Sequence, residues 1–191
     1  SENPSKDISM YINSPGGDVF GANAIAAALR AAGGKVTAHI DGLAASAATA
    51  IASAADEVQM AEGSMYMVHR AWTIGIGNRN DFLEQAALLD KVDGQLAASY
   101  AKKTGGNDEA MLALMDAETW MTAEEAVEAG FADGVTAGAK ARGTFDLSAF
   151  AKAPQMPAAE APEPDATPEP AAASDEHRDR QRQRLRLVAT M

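Results

Sequence analysis

One serine stands out for where it sits. In Ile40-Asp41-Gly42-Leu43-Ala44-Ala45-Ser46-Ala47-Ala48-Thr49-Ala50 every near neighbour of Ser46 is small, and a helical run follows it. Two readings of Ser46 stand side by side. It can cap an alanine-rich helix, since serine is a preferred N-cap residue. It can instead be a nucleophile, with the helix N-terminus stabilising negative charge beside it. A serine hydroxyl attacks only when a base takes its proton and a third group orients that base. There are three histidines. His177 lies in the C-terminal tail, and His39 sits inside an apolar strand, where a packed neutral imidazole is expected. His69 falls at the end of a strand, followed by Arg70, Ala71 and a glycine-containing loop. The orienting carboxylate would come from Asp116 or Glu118, and either can reach from the turn it flanks. Gly16-Gly17 follows the first strand, so its N–H groups can join that of Ala47 in an oxyanion hole.

The elements that must position these groups alternate. Ile8-Ser9-Met10-Tyr11-Ile12-Asn13 is β-rich and ends in the breaker cluster Asn13-Ser14-Pro15-Gly16-Gly17-Asp18. Residues 19–32 carry a helical pattern closed by Gly33-Gly34. Residues 35–40 read as a second strand that leads into the Ser46 turn and a helix to about residue 54. Strands follow at 57–60 and 64–69, then a loop over 72–79. Phe82, Ala86, Leu89, Val92, Leu96 and Tyr100 recur at helical spacing, which predicts a helix over 81–104 with a continuous apolar stripe for subunit packing. A short helix is expected over 108–115. Thr122 and Glu125 form a capping-box pattern for a last helix that stops at Gly130. Strand–helix alternation predicts a parallel sheet with flanking helices. The carboxyl ends of such strands form a site edge, on which both Ser46 and His69 would lie.

Composition narrows the function classes. A net charge of −11 argues against a generally nucleic-acid-binding surface. The chain has no cysteine, so disulfides and thiolate chemistry are excluded. No apolar run is long enough for a membrane span. Residues 1–138 read as one domain. Residues 139–174 read as a Pro/Ala-rich linker, with weak docking expected over 145–150 and disorder over 153–174. Residues 175–191 form a basic segment with Arg178, Arg180, Arg182, Arg184 and Arg186.

Four segments, in order, resemble the Clp-type serine protease family. They are Tyr11-Ile12-Asn13-Ser14-Pro15-Gly16-Gly17, then Gly42-Leu43-Ala44-Ala45-Ser46-Ala47, then Met67-Val68-His69, and finally the stretch from Ala123 through Gly130 to Asp133. The resemblance covers about residues 7–135. It implies the ββα spiral shared with crotonases, with Ser46 as nucleophile, His69 as base and oxyanion N–H groups from Gly17 and Ala47. Aligned on the last helix, it places the orienting acid at Glu118, with Asp116 in reserve. The resemblance further implies an initial strand and helix ahead of residue 7, which are expected to be missing from the sequence as it stands.

Within the family, Ala47-Ala48-Thr49 after the serine, Arg70-Ala71-Trp72 after the histidine, and the Pro/Ala and Arg-rich end are similar to the Clp-like head maturation proteases of tailed bacteriophages. The implied activity is endopeptidase cleavage of capsid and scaffold proteins in the host cytoplasm, in or on assembling proheads. It needs no cofactor or metal, and the implied partners are those substrates and further copies of the chain in a ring, with no membrane and no nucleic acid. Other readings are a cellular ATP-dependent Clp proteolytic subunit, a relative of signal-peptide peptidases, and a non-catalytic assembly module on the same fold.

Overall fold

The computed structural model describes residues 6–140 and 145–154. All of them fall within one compact unit, Ser1–Ala158. The expected disordered stretch over 153–174 lies almost wholly outside the described residues, and the basic segment 175–191 lies entirely outside them.

The chain runs β1 (Ile8–Ser14), α1 (Val19–Ala31), β2 (Val36–Ala45), α2 (Ala47–Ala52), β3 (Glu57–Glu62), β4 (Met65–Val68), α3 (Arg79–Thr104), α4 (Asp108–Asp116), β5 (Thr119–Thr122), α5 (Ala123–Glu128) and β6 (Gly134–Lys140). The helices start where the sequence supplies caps. Asp18 accepts from the N–H groups of Phe20 and Gly21 to open α1. Asn78 and Asp81 close a capping box on α3, and Thr122 and Glu125 close one on α5. Gly105, at φ 75°, ends α3 in the left-handed region that glycine adopts without a Cβ clash.

One strand organises the sheet. β2 pairs in parallel with β1, β3 and β4. Thr37 to Ile40 bond to β1 and β3 at once, and Ala44 bonds to both β1 and β4. β3 and β4 therefore follow one another along the edge of β2 opposite β1. The change of partner falls at Asp41-Gly42, and β1 shifts register at the same level. There the Asn13 side chain accepts the Leu43 N–H at 3.1 Å. The expected strand over 35–40 thus runs on to Ala45, because two successive neighbours keep its backbone paired.

β5 departs from the expected all-parallel sheet. It pairs antiparallel with β4, from Met65 opposite Thr122 to Val68 opposite Thr119, and makes the sheet mixed. Its four residues are too short for period-two alternation to register, and its hydrogen-bonded partner is the site strand.

The core lies between the sheet and the helices. Ile40, Val58, Met60, Tyr66, Tyr100, Met115 and Phe131 are fully or almost fully buried in it. Tyr66 and Phe131 stack at a tilt with centroids 5.2 Å apart, and Tyr100 meets Phe131 edge-on at 5.7 Å. Burial of Met60 and Met67 agrees with a packing role. His39 differs from expectation: it is half-buried and stacks on the exposed ring of Tyr11, because its face of β2 is not covered by the helices. On that opposite face a second cluster forms at the end of β2. Leu43, Ala45 and Met67 are buried there against Leu147, with Trp120, Phe145, Phe150 and Ala153 around them. Residues 145–153 thus dock on the body rather than trailing away from it.

Candidate active site

Ser46 occupies the N-cap position of α2, yet its side chain makes no cap hydrogen bond. Its Oγ lies 2.7 Å from Nε2 of His69 instead. The cap reading fails on that geometry. Ser46 also holds φ 54° and ψ −128°, a conformation that costs a non-glycine residue about 1–3 kcal/mol. Surrounding bonds over-determine it. The Ser46 N–H donates to Met67 O at 3.0 Å, which ties the turn to β4. Its carbonyl accepts from the Thr49 N–H at 2.9 Å and from Thr49 Oγ1 at 2.5 Å. Thr49 Oγ1 in turn meets the Tyr100 hydroxyl at 2.7 Å, linking the turn to α3. Burial pushes the Tyr100 phenol up to about 12, so it stays neutral and bonded there.

Small residues at this turn have a steric reason. A Cβ on Gly16, which has φ 101°, would lie 2.7 Å from both Ala45 O and Ser46 Cβ. The loop after β1 therefore touches the backbone of the Ser46 turn, which only glycine permits. Gly17, at φ 150°, lines the same cleft as Gly16 and Ser46. Ala47 borders the neighbouring hollow with both glycines. The proposed oxyanion residues, Gly17 and Ala47, thus flank the serine from two elements.

His69 follows the last residue of β4 and is half-buried. Burial lowers its proton affinity below the ordinary value of 6.5, and the charges of Glu118 and Asp93 only partly oppose this. A neutral imidazole at pH 7 can accept a proton from Ser46. The residue after it is clamped. Arg70 makes a two-point bond to Asp116, Nε to Oδ1 at 2.7 Å and Nη2 to Oδ2 at 2.9 Å. It also reaches buried Asp93 at 3.3 Å, and Asp93 accepts the Ala71 N–H at 2.7 Å. Asp116 is therefore committed to Arg70. Asp93 and Arg70 were not singled out from the sequence as site residues. The available signal was an aspartate inside the apolar stripe of α3, between Val92 and Leu96.

Glu118 stands at the turn between α4 and β5 with φ 48°. Its Oε1 accepts from the Lys152 N–H at 2.6 Å and from Trp120 Nε1 at 3.2 Å, and its Oε2 accepts from the Ala151 N–H at 3.0 Å. Burial works to raise this carboxyl, and the three N–H donors outweigh it, so it stays ionised below its usual range. It influences His69 through charge, and among the described residues no hydrogen bond joins the two. His69 meets the Phe150 ring edge-on at 5.3 Å. The cleft before Ser46 has a volume of about 650 Å³. Val19, Phe20, Trp72, Leu88 and Leu89 give it an apolar wall, and Phe150 closes one side. Among the described residues no group of three or more His, Asp or Glu side chains could hold a metal ion.

An α/β sheet that presents a histidine-bonded serine on a strained strand-to-helix turn is a serine-hydrolase scaffold. The comparisons narrow that class. The Clp protease family model matches residues 1–139, and the chain belongs to that family. It is 32% identical over 139 residues to an ATP-dependent Clp protease proteolytic subunit of Leuconostoc citreum, covering 71% of this chain and 70% of that one. It is 36% identical over 153 residues to ATP-dependent Clp protease proteolytic subunit 2 of Rhodococcus jostii, covering 75% of each. A solved ClpP1 variant from Listeria monocytogenes shares the fold at a TM-score of 0.64 and 21% identity, over 70% of this chain and 75% of that one. The Clp proteolytic subunits are serine peptidases, and this chain shares their family and that enzyme class.

Proposed function

We propose that the protein is a serine endopeptidase in which Ser46 is the nucleophile and His69 the general base. The observation that carries this is the 2.7 Å bond between Ser46 Oγ and His69 Nε2 where a helix cap would otherwise form. Ser46 Oγ attacks the scissile carbonyl as its proton passes to His69 Nε2. The tetrahedral oxyanion is stabilised by the N–H groups of Gly17 and Ala47. Collapse breaks the C–N bond, and the amine leaves with the proton from His69. Water, deprotonated by His69, then hydrolyses the acyl-serine ester and restores the hydroxyl. Glu118 is the orienting carboxylate for His69, with Asp116 serving Arg70.

The biological setting we propose is prohead maturation, with capsid and scaffold proteins as substrates and the host cytoplasm as compartment. Its support is the sequence around the site, Ala47-Ala48-Thr49 and Arg70-Ala71-Trp72, together with the Pro/Ala and Arg-rich end. Phe82, Leu83 and Leu88 of α3 are exposed, which fits a face that another copy covers in a ring. A second reading, a cellular Clp proteolytic subunit, is favoured by the names of the matched relatives. Ser46→Ala tests the chemistry. It should abolish labelling by a fluorophosphonate and lower peptide hydrolysis by a factor on the order of 10⁶. Undiminished hydrolysis would remove Ser46 from the mechanism. Co-expression of the active chain with capsid and scaffold proteins separates the settings, since cleavage there and not of cellular Clp substrates is expected.

A further inference from the structure

The cluster beneath Leu147 joins two observations that the catalytic reading leaves unused. The first is anchoring. Leu147 is 8% exposed against Leu43, Ala45 and Met67, on the sheet face away from the main core. Phe150 meets Trp120 edge-on at 5.7 Å, and the Lys152 ammonium donates to the Ala117 carbonyl. The second is what the anchored chain does at the site. Phe150 lies edge-on to the His69 ring, and Asp146, Ala149 and Phe150 line the cleft in front of Ser46. The backbone N–H groups of Ala151 and Lys152 hold both oxygens of Glu118. The residue whose carboxylate would orient His69 is thereby bonded to a different segment of the chain.

We infer that residues 145–153 form a self-docked strap, which keeps the site at rest by narrowing the cleft at Phe150 and by holding Glu118 through the Ala151 and Lys152 N–H groups. The inference rests on Ser46 and His69 being the reacting pair. The surface made by Leu43, Ala45, Met67, Trp120 and Glu118 is thus a docking site whose occupant is the chain's own C-terminal segment. Lifting the strap frees Glu118 Oε2 and leaves Oε1 with the Trp120 Nε1 donor. The carboxylate can then accept a proton-bearing nitrogen from the imidazole whose charge it already influences. A base without its orienting carboxylate is impaired by orders of magnitude, so even partial release has a large effect on rate.

The test uses the full chain. Phe150→Asp places a charge in the apolar contact with Trp120 and His69. Lys152→Pro leaves Leu147 and Phe150 unsubstituted and removes both the N–H that donates to Glu118 and the ammonium that donates to the Ala117 carbonyl. Thermal melting establishes that both variants fold. Both should react with a fluorophosphonate at Ser46 about tenfold faster than the parent chain or more, as expected when the base regains its carboxylate. A synthetic peptide of residues 145–154 should slow Phe150→Asp back toward the parent rate. Rates equal to or below the parent in both folded variants would overturn the strap and leave Ser46 as nucleophile. Absence of labelling at Ser46 in all three chains would overturn the nucleophile and the strap with it.

Discussion

At the scale of single residues, His69 is governed by two opposed influences. Burial disfavours its charged form, and the charges of Glu118 and Asp93 favour it, with burial prevailing. The pH dependence follows from that direction. In the proposed mechanism reaction at Ser46 requires neutral His69, so the acid limb of a plot of labelling rate against pH should fall below the ordinary value of 6.5. The same direction governs stability. The unfolded chain binds a proton at this histidine more readily than the native state does. Stability contributed by His69 is therefore present above pH 6.5 and is lost as the pH falls from there through the lower native value. A pH-rate profile with an acid midpoint above 6.5 would mean that the carboxylates dominate. The Glu57 carboxylate raises Lys35 and the Lys35 ammonium lowers Glu57, but this pair of an exposed lysine and a half-buried glutamate sits at the far end of β2 and β3 from Ser46 and His69.

At the scale of elements, the site depends on β2 changing partner. Alternate burial of Val36, Ala38 and Ile40 gives way to continuous burial from Gly42 to Ala45, because the strap covers the second face there. The Gly16 loop can then press on the turn that β2 feeds. Gly16→Ala should prove costly twice over, from the 2.7 Å contacts with Ala45 O and Ser46 Cβ and from φ 101°. We expect a loss of roughly 1–3 kcal/mol in urea unfolding, with labelling of Ser46 reduced far more than stability alone explains. Much of this scale was legible in the sequence. The starts of α1 after Asp18 and of α5 at Thr122, and the stops at Gly105 and Gly130, follow from local chemistry, which a sequence carries. So does the placement of Ser46 and His69 at strand ends. β5 was not legible, because it exists through pairing with β4 and not through its own pattern. The Arg70 clamp and the hold of the strap on Glu118 join residues 23 to 46 and 33 to 34 positions apart, and no spacing rule connects them.

At the scale of the whole molecule, one aromatic cluster couples the sheet to the helices behind the site. Phe131 comes directly after the last turn of α5, and its N–H donates to the Ala126 carbonyl at 2.8 Å. Its ring is fully buried between Tyr66 of β4 and Tyr100 of α3. Each tyrosine also bonds near the serine turn, Tyr100 to Thr49 Oγ1 and Tyr66 to the Thr49 carbonyl at 3.2 Å. A second tie closes the same corner: Asp133 accepts from the Val58 N–H at 2.7 Å and from Lys103 Nζ at 2.6 Å, holding α3 to β3. Phe131→Ala would leave a cavity under both phenols without removing any group that bonds to Ser46. Its expected cost is about 3–5 kcal/mol, the range for deleting a buried phenyl ring. For a body of this size that lowers the melting temperature by roughly 6–20 °C, at about 2–4 °C per kcal/mol. Because the Thr49 bonds transmit the loosening to the Ser46 turn, the labelling rate should fall at temperatures well below the new midpoint. Phe131→Leu, which refills most of the volume, should restore the rate more fully than the stability. A Phe131→Ala protein that melts lower yet labels at the parent rate would show that the turn is held by β2, β4 and Gly16 alone.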